Sequence, residues 1–322
     1  MSGSRQAVVT GAAGFIGSNL VDRLLAEGWR VTGYDNLSTG MLEFLEPARK
    51  NESFRLVEGD LLDRPTLERA VAGADMVFHL AANADVRFGT ERPERDLEQN
   101  TIGTFNVLEA MRKGGVKRIA FSSTGSIYGE HHVVPTPEDA PFPVQTSLYG
   151  ASKLAGEGLI QAYCEGFGMS AVIFRFVSVL GERYTHGHVF DFCRKLFVDP
   201  TRLPVLGNGK QRKSYMYVGD CVAAVLLAAE KSADKVGIFN LGVDGWIEVT
   251  QSIGWIADEL RVEPVLEFAG GERGWIGDSP LIHLDTGRIN RLGWTPQVSI
   301  EAGVRKTVRW LSDNRWVFDH RD

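Results

Sequence analysis

The chain has 322 residues, 43% of them hydrophobic and 24% charged, with a formal net charge of −6. That length allows one large core, or a nucleotide-binding core with a smaller appendage, and the acidic balance argues against nucleic-acid or anionic-membrane partners. No stretch is apolar over the length a bilayer demands, no signal-peptide core precedes the first strand, and Cys164, Cys193 and Cys221 lack metal-ligand spacing, so a cytoplasmic enzyme with reduced thiols and no metal is expected.

The first half alternates short β-branched runs with segments of helical spacing. Strands are predicted at Ala7–Thr10, Arg30–Tyr34, Phe54–Glu58, Met76–Leu80, Arg118–Ser122 and Ser170–Phe176. Between the first two, Phe15, Ile16, Leu20, Val21, Leu24 and Leu25 recur at helical intervals. Such alternation implies an α/β fold, a doubly wound parallel sheet of Rossmann type with helices on both faces. Helices are also predicted over Arg95–Lys113 and over Thr146–Phe167.

Beyond Phe176 the pattern is less regular. Strand runs at Leu203–Leu206 and Ser214–Val218 mix with helices, while the apolar helix Cys221–Ala229 and the strand Ile238–Leu241 are expected to return to the main sheet. A last helix covers Ser299–Ser312. The expected organisation is a dinucleotide-binding domain over 1–176, joined by parts of 214–244. A smaller, discontinuous α/β substrate-binding domain would take up most of 177–322.

Gly11-Ala12-Ala13-Gly14-Phe15-Ile16-Gly17 ends the first strand and opens the first helix. Glycines there permit a tight turn and let backbone N–H groups at the helix N-terminus approach a pyrophosphate. Asp35 ends the second strand about 20 residues on, where an acid accepts hydrogen bonds from adenosine ribose hydroxyls. That carboxylate repels a 2′-phosphate, and Asn36, Leu37 and Ser38 bring no arginine, so NAD is favoured over NADP. Asp60 and Leu61, after the third strand, are placed beside the adenine, with a solvated loop acid as the plainer reading of Asp60.

Tyr149-Gly150-Ala151-Ser152-Lys153 puts a phenol and an ammonium one helical turn apart on one face. Alone, such a pair is often only a surface contact. Behind a dinucleotide fingerprint it has a chemical reading: Lys153 and an oxidised nicotinamide both place positive charge near the Tyr149 hydroxyl, favouring the phenolate and a general base. Lys153 would also hold the cofactor's ribose. A small hydroxyl at the end of the fifth strand completes the set, Thr124 being best placed and Ser123 the alternative.

With these motifs the chain resembles the extended short-chain dehydrogenase/reductase family, specifically its nucleotide-sugar epimerases of the UDP-glucose 4-epimerase type. The matching pieces are Thr10 to Gly17, Tyr34 to Gly40, His79-Leu80-Ala81-Ala82, Ser122-Ser123-Thr124, Tyr149 with Lys153, and Gly207 to Arg212. The resemblance covers nearly the whole chain. It implies that Tyr149 takes the proton of a C4 hydroxyl while C4 gives its hydride to NAD. The 4-keto sugar turns over and takes the hydride back on its other face. It implies further that Thr124 bonds the reacting oxygen, that Leu80, Ala81, Ala82 and Ser122 line the cofactor with Asn100 behind them, and that Asn83 reaches the substrate. Sugar 4,6-dehydratases of the family carry Asp-Glu after the catalytic threonine, where this chain has Gly125 and Ser126. Decarboxylases carry Glu at the position of Ser126. Epimerisation, which needs only reversible hydride transfer, is what remains.

The chain also departs from the pattern. Ser178 stands where these epimerases have a diphosphate-binding Asn, and Gln211-Arg212-Lys213-Ser214 replaces Gln-x-Arg-Asp, so the phosphate clamp is Arg212, Lys213 or both. Glu272 to Asp278 replaces Arg-Pro-Gly-Asp, with Arg273 a second phosphate ligand and Asp278 beside the substrate. Arg87 either faces the sugar or pairs with Glu91 on the surface. His188 and Val189 belong to a substrate loop, since His186 and His188 have no third ligand near them for a metal. Leu281-Ile282 falls where these epimerases limit sugar size. The family also implies a homodimer built from Arg95–Lys113 and Tyr149–Phe167. A net nucleotide-sugar oxidoreductase is the second reading, and a non-catalytic NAD-binding regulator the third.

Overall fold

The computed structural model describes residues 4–84, 91–142, 144–272 and 281–320. The chain forms two compact units, one of residues 1–127, 147–175 and 222–239, the other of 128–146, 176–221 and 240–322.

Seven strands make the sheet of the first unit: β1 Gln6–Thr10, β2 Arg30–Asp35, β3 Phe54–Glu58, β4 Met76–His79, β5 Arg118–Thr124, β6 Ser170–Phe176 and β7 Val236–Leu241. Their spatial order is β3-β2-β1-β4-β5-β6-β7, and β1 pairs in parallel with both β2 and β4. The order therefore reverses between β1 and β4, the crevice where open α/β sheets bind ligands. Val8, Val9, Val77 and Phe78 are buried, as expected of parallel strands covered on both faces.

Helix α1 (Phe15–Ala26) turns Phe15, Leu20, Val21 and Leu24 inward. Helix α2 (Arg64–Val71) starts on Asp63, whose side chain accepts from Thr66 N. The single helix expected over 95–113 is instead a turn at Pro93–Arg95, a π-helical stretch Asp96–Ile102, and α3 (Gly103–Gly114). The widened turn carries Asp96 and Asn100, both buried, and such bulges concentrate at functional sites. Helix α4 (Leu148–Phe167) is capped by Ser147, which accepts from Gly150 N at 3.0 Å.

In the second unit the strands are short. Residues 178–180 pair with 215–217, 212–213 with both 247–248 and 281–282, and 202–205 with 265–268. The strand expected at Ser214–Val218 shrinks to Tyr215–Tyr217, because Val218 already begins a helix, α6 (Val218–Lys231). Helices α5 (His188–Val198), α7 (Val249–Leu260) and α8 (Ile300–Asp313) bury Phe190, Cys193, Ile253, Ile256, Val304 and Val308. Segment 128–146, which the strand pattern leaves with the first domain, belongs to this unit by its contacts. The Tyr128 hydroxyl donates to Asn240, Asn240 donates to the Thr136 carbonyl, and Thr136 bridges to Leu284.

Candidate active site

The glycine loop is built by close approach. Gly11 has φ 71°, and a Cβ there would lie 2.7 Å from Ala81 N; a Cβ on Gly17 would lie 1.9 Å from the Gly11 carbonyl oxygen. Only glycine allows this turn. Gly14 caps α1, so the first-turn N–H groups of Phe15 and Ile16 stand at a helix N-terminus. At the end of β2, Asp35 is 8% exposed and accepts from Ala13 N at 2.8 Å and Leu37 N at 2.9 Å. Each carboxylate oxygen retains a lone pair for a further donor. Burial pushes the Asp35 carboxyl up and the two backbone bonds pull it down. Asn36 accepts from Ser38 and donates to Asp60 at 2.7 Å, tying the ends of β2 and β3 together. The Leu61 side chain is buried, which leaves its backbone as the only part able to meet a ligand.

Beyond β4, Leu80, Ala81 and Ala82 are half-buried, and Ser122 Oγ donates to the His79 carbonyl at 3.2 Å. Asn100, expected to line the cofactor, has its side chain committed elsewhere. It accepts from Asn83 N at 2.8 Å and donates to Ser152 Oγ at 2.9 Å and Asp96 Oδ1 at 3.2 Å. Asn100 is thus a positioning residue. Asn83, expected at the substrate, donates its side-chain amide to Asp96 at 2.9 Å.

Tyr149 stands in the first turn of α4, with the Thr124 hydroxyl close enough to its phenol to favour the phenolate, while Thr124 Oγ1 itself donates to Ser126 Oγ at 3.2 Å. Of the two hydroxyls considered from sequence, Thr124 therefore faces the phenol. Ser123 instead donates to Glu157 at 2.5 Å. Lys153 is 2% exposed, with Nζ 4.3 Å from the centre of the Phe121 ring. Burial drives the Lys153 ammonium from its ordinary 10.5 down to about 7, against the pull of Glu157. Burial likewise raises the Tyr149 phenol from 10.0 to about 12, with the Thr124 hydrogen bond opposing and Asp96 adding to the rise. The lowered phenol expected from sequence, with an oxidised nicotinamide beside it, is not what the chain alone produces, because desolvation outweighs the Thr124 contact.

In the second unit, Ser178 is exposed and pairs with Tyr215. His188 bonds Ser252 Oγ at 2.7 Å and lies 4.7 Å, ring centre to ring centre, from Tyr215. Burial, with Lys213 adding to it, pushes His188 down to about 3, so it is neutral. Val189, in the first turn of α5, is 0% exposed and lies in the core. Arg212 is exposed with its guanidinium 4.4 Å from the Trp246 ring centre. Leu281 and Ile282 pair with Arg212 and Lys213, so the size-limiting segment and the cationic pair share one ladder. Arg87, Arg273 and Asp278 lie outside the described residues.

The sequence matches the NAD dependent epimerase/dehydratase family over residues 7–242. This chain belongs to that family. It is 34% identical to a UDP-glucose 4-epimerase of Mycolicibacterium smegmatis over 94% of this chain and 97% of the relative. A crystal structure of a UDP-galactose 4-epimerase superposes with a TM-score of 0.86 at 37% identity, covering 97% of this chain and all 100% of that one. The UDP-glucose 4-epimerase of Thermotoga maritima, solved with UDP-glucose, gives 0.85 at 34% identity over 96% and 99% of the two chains.

The residues present fit the dinucleotide of the epimerase/dehydratase family. Gly11 and Gly17 let the loop close tightly onto the start of α1, Asp35 has acceptor capacity left, and residues 36–38 add no cation. Two groups important to this site carry no motif. Glu157 accepts from Arg175 through both oxygens, at 3.0 and 2.8 Å, and this pair is buried to 0% and 2% exposure. It joins β5, β6 and α4 one turn below Lys153. The signal was available in sequence: Glu157 lies at i+4 from Lys153, and Arg175 interrupts an otherwise apolar strand, where a charge needs a buried partner.

Proposed function

We propose that this chain is an NAD-dependent 4-epimerase of nucleotide-activated sugars, with a UDP-hexose as substrate and a transient 4-keto sugar as intermediate. The observation that carries this is Thr124 at the end of β5 beside the Tyr149 phenol, with Lys153 buried one helical turn on and Gly125 and Ser126 following the threonine. Elimination or decarboxylation requires an additional acid at those two positions, and reversible oxidation at C4 does not.

NAD, when bound, supplies the acceptor and donor of the C4 hydride. Gly11, Gly14, Phe15, Ile16 and Gly17 hold its pyrophosphate, and Asp35 accepts from the adenosine ribose. Asn36, Leu37, Ser38, Asp60, Leu61, Leu80, Ala81, Ala82 and Ser122 complete its surroundings. Thr124 bonds the reacting oxygen, and Tyr149 takes the C4 hydroxyl proton and returns it to the opposite face. Lys153 holds the cofactor ribose and contributes positive charge beside the phenol. Arg212 and Lys213 take the diphosphate, joined by Arg273 and Ser178, while Arg87 faces the sugar and His188 and Asp278 lie beside the substrate. The protein works in the cytoplasm as a homodimer. Leu97, Ile102, Phe105 and Phe167, exposed on 96–114 and α4, support the dimer face.

The test is incubation of the purified protein with UDP-, GDP-, CDP- and ADP-sugars, without added cofactor, following C4 inversion by proton NMR. Conversion of a UDP-hexose to its C4 epimer, lost in Tyr149→Phe, is the expected result. No inversion in any sugar, with NADH accumulating in the protein's absorbance, would favour the net oxidoreductase instead.

A further inference from the structure

We infer that His79 is a positioning residue, a neutral crossbar that sets the glycine loop and the start of the Tyr149 helix in fixed register. The inference rests on the epimerase reading for the roles of those two ends, and its tests separate it from that reading.

His79 ends β4 opposite Thr10 of β1, at the point where strand order reverses. It is 0% exposed. Its Nδ1 lies 2.7 Å from Thr10 Oγ1 and its Nε2 lies 3.0 Å from Thr104 Oγ1 on α3. Counting protons fixes the tautomer. The Thr104 hydroxyl has one proton and gives it to the Asn100 carbonyl at 2.5 Å, since a carbonyl can only accept. Thr104 must then accept from the ring, so Nε2 carries the hydrogen. Nδ1 is left as an acceptor and takes the Thr10 hydroxyl proton. Thr10 Oγ1 in turn accepts from Ala81 N at 3.2 Å. Every donor has one acceptor, and the chain has a single direction.

Both ends reach the site. On one side, Thr10 precedes Gly11, and Ala81 is the backbone against which Gly11 closes. On the other, Asn100 donates to Ser152 Oγ at 2.9 Å, and Ser152 Oγ donates to the Tyr149 carbonyl at 2.8 Å. A charged imidazole has no acceptor at Nδ1 and breaks this order. Burial, reinforced by Lys153, holds the ring neutral by pushing it down to about 3.

Two substitutions separate the arms. His79→Gln keeps a donor near the Nε2 position for Thr104 but leaves Thr10 without its acceptor. His79→Asn keeps an acceptor near Nδ1 for Thr10 but does not reach Thr104. A buried group left without its partner costs about a factor of ten in the property it supports. His79→Gln is therefore expected to weaken NAD retention about tenfold, with kcat at saturating NAD unchanged. His79→Asn is expected to retain NAD and lose about tenfold in kcat. Loss of both properties together in both variants, or a change in melting temperature alone, overturns the inference. If neither variant folds, selective 15N-histidine NMR of the unmodified protein decides. The buried ring should show the Nε2–H tautomer without titrating between about pH 5 and about pH 8. An Nδ1–H or doubly protonated ring contradicts the crossbar. NAD content and tautomer are both read without sugar turnover, so a failed epimerase assay leaves those two readouts intact.

Discussion

In the first unit, Asp35, Asn100 and Glu157 are buried and each is held by two or more hydrogen-bond partners. In the second, Ser178 and Arg212 stand exposed on ladders two or three residues long. The dinucleotide half is thus prearranged by internal bonds, while the half assigned to the sugar presents side chains on a lighter frame. Chemistry common to a family needs the first kind of construction, and substrate choice can be varied on the second without disturbing the sheet.

That contrast can be broken by substitution, and the largest effect is expected at the phenol. Tyr149→Phe removes the general base and should lower kcat by about 10²- to 10⁴-fold while NAD content stays unchanged. An active Phe variant would take the chemistry away from this residue. Next comes the buried pair. Glu157→Ala removes the buried carboxylate to which Arg175 and Ser123 both donate, at a cost of about 3–5 kcal/mol. The melting temperature should fall by roughly 10 °C, and an unchanged value would show that the first unit does not depend on this bond.

Arg212→Ala tests the second unit. Loss of a charge-assisted contact of about 1.5–3 kcal/mol should raise KM for the nucleotide sugar roughly 10- to 100-fold, leaving NAD binding and stability alone. No change in KM would move the diphosphate clamp to Lys213. The smallest effect concerns Lys153. Its folded-state value of about 7 lies below its ordinary 10.5. Between those two values the unfolded chain binds a proton the folded one lacks, so this group's contribution to stability rises with pH. Below about pH 7 the penalty of burying the ammonium is fully present. Lys153→Met should therefore melt no lower than the parent at about pH 7, with any advantage shrinking towards about pH 10.

The same contrast explains what the sequence made legible. Strands β3 and β6 were bounded by residues Phe54–Glu58 and Ser170–Phe176, as found, because short runs rich in apolar residues between turn residues leave few alternatives. The glycine loop, Asp35 and the Tyr149/Lys153 pair lie at strand ends and within one helical turn, so local spacing shows them. Motif position does not reveal which way a side chain is committed, as Asn100 and Val189 show. Asn100 turns to Ser152 and Val189 into the core. Ladders such as Arg212 with Leu281 join residues far apart in the chain, which periodicity cannot see. The π-helical stretch at Asp96–Ile102 depends on the buried partners of Asp96 and Asn100, and no local pattern announces it.

The most direct test of the central claim is the fate of the C4 hydrogen. A UDP-hexose carrying deuterium at C4 would be incubated with the purified protein and no added cofactor, and the product examined by NMR. A 4-epimerase removes and returns the same hydride, so the C4 epimer should retain the deuterium at C4 even in the presence of unlabelled NADH. Loss of deuterium from C4, or its appearance in free NADH without an inverted sugar, would contradict the epimerase account.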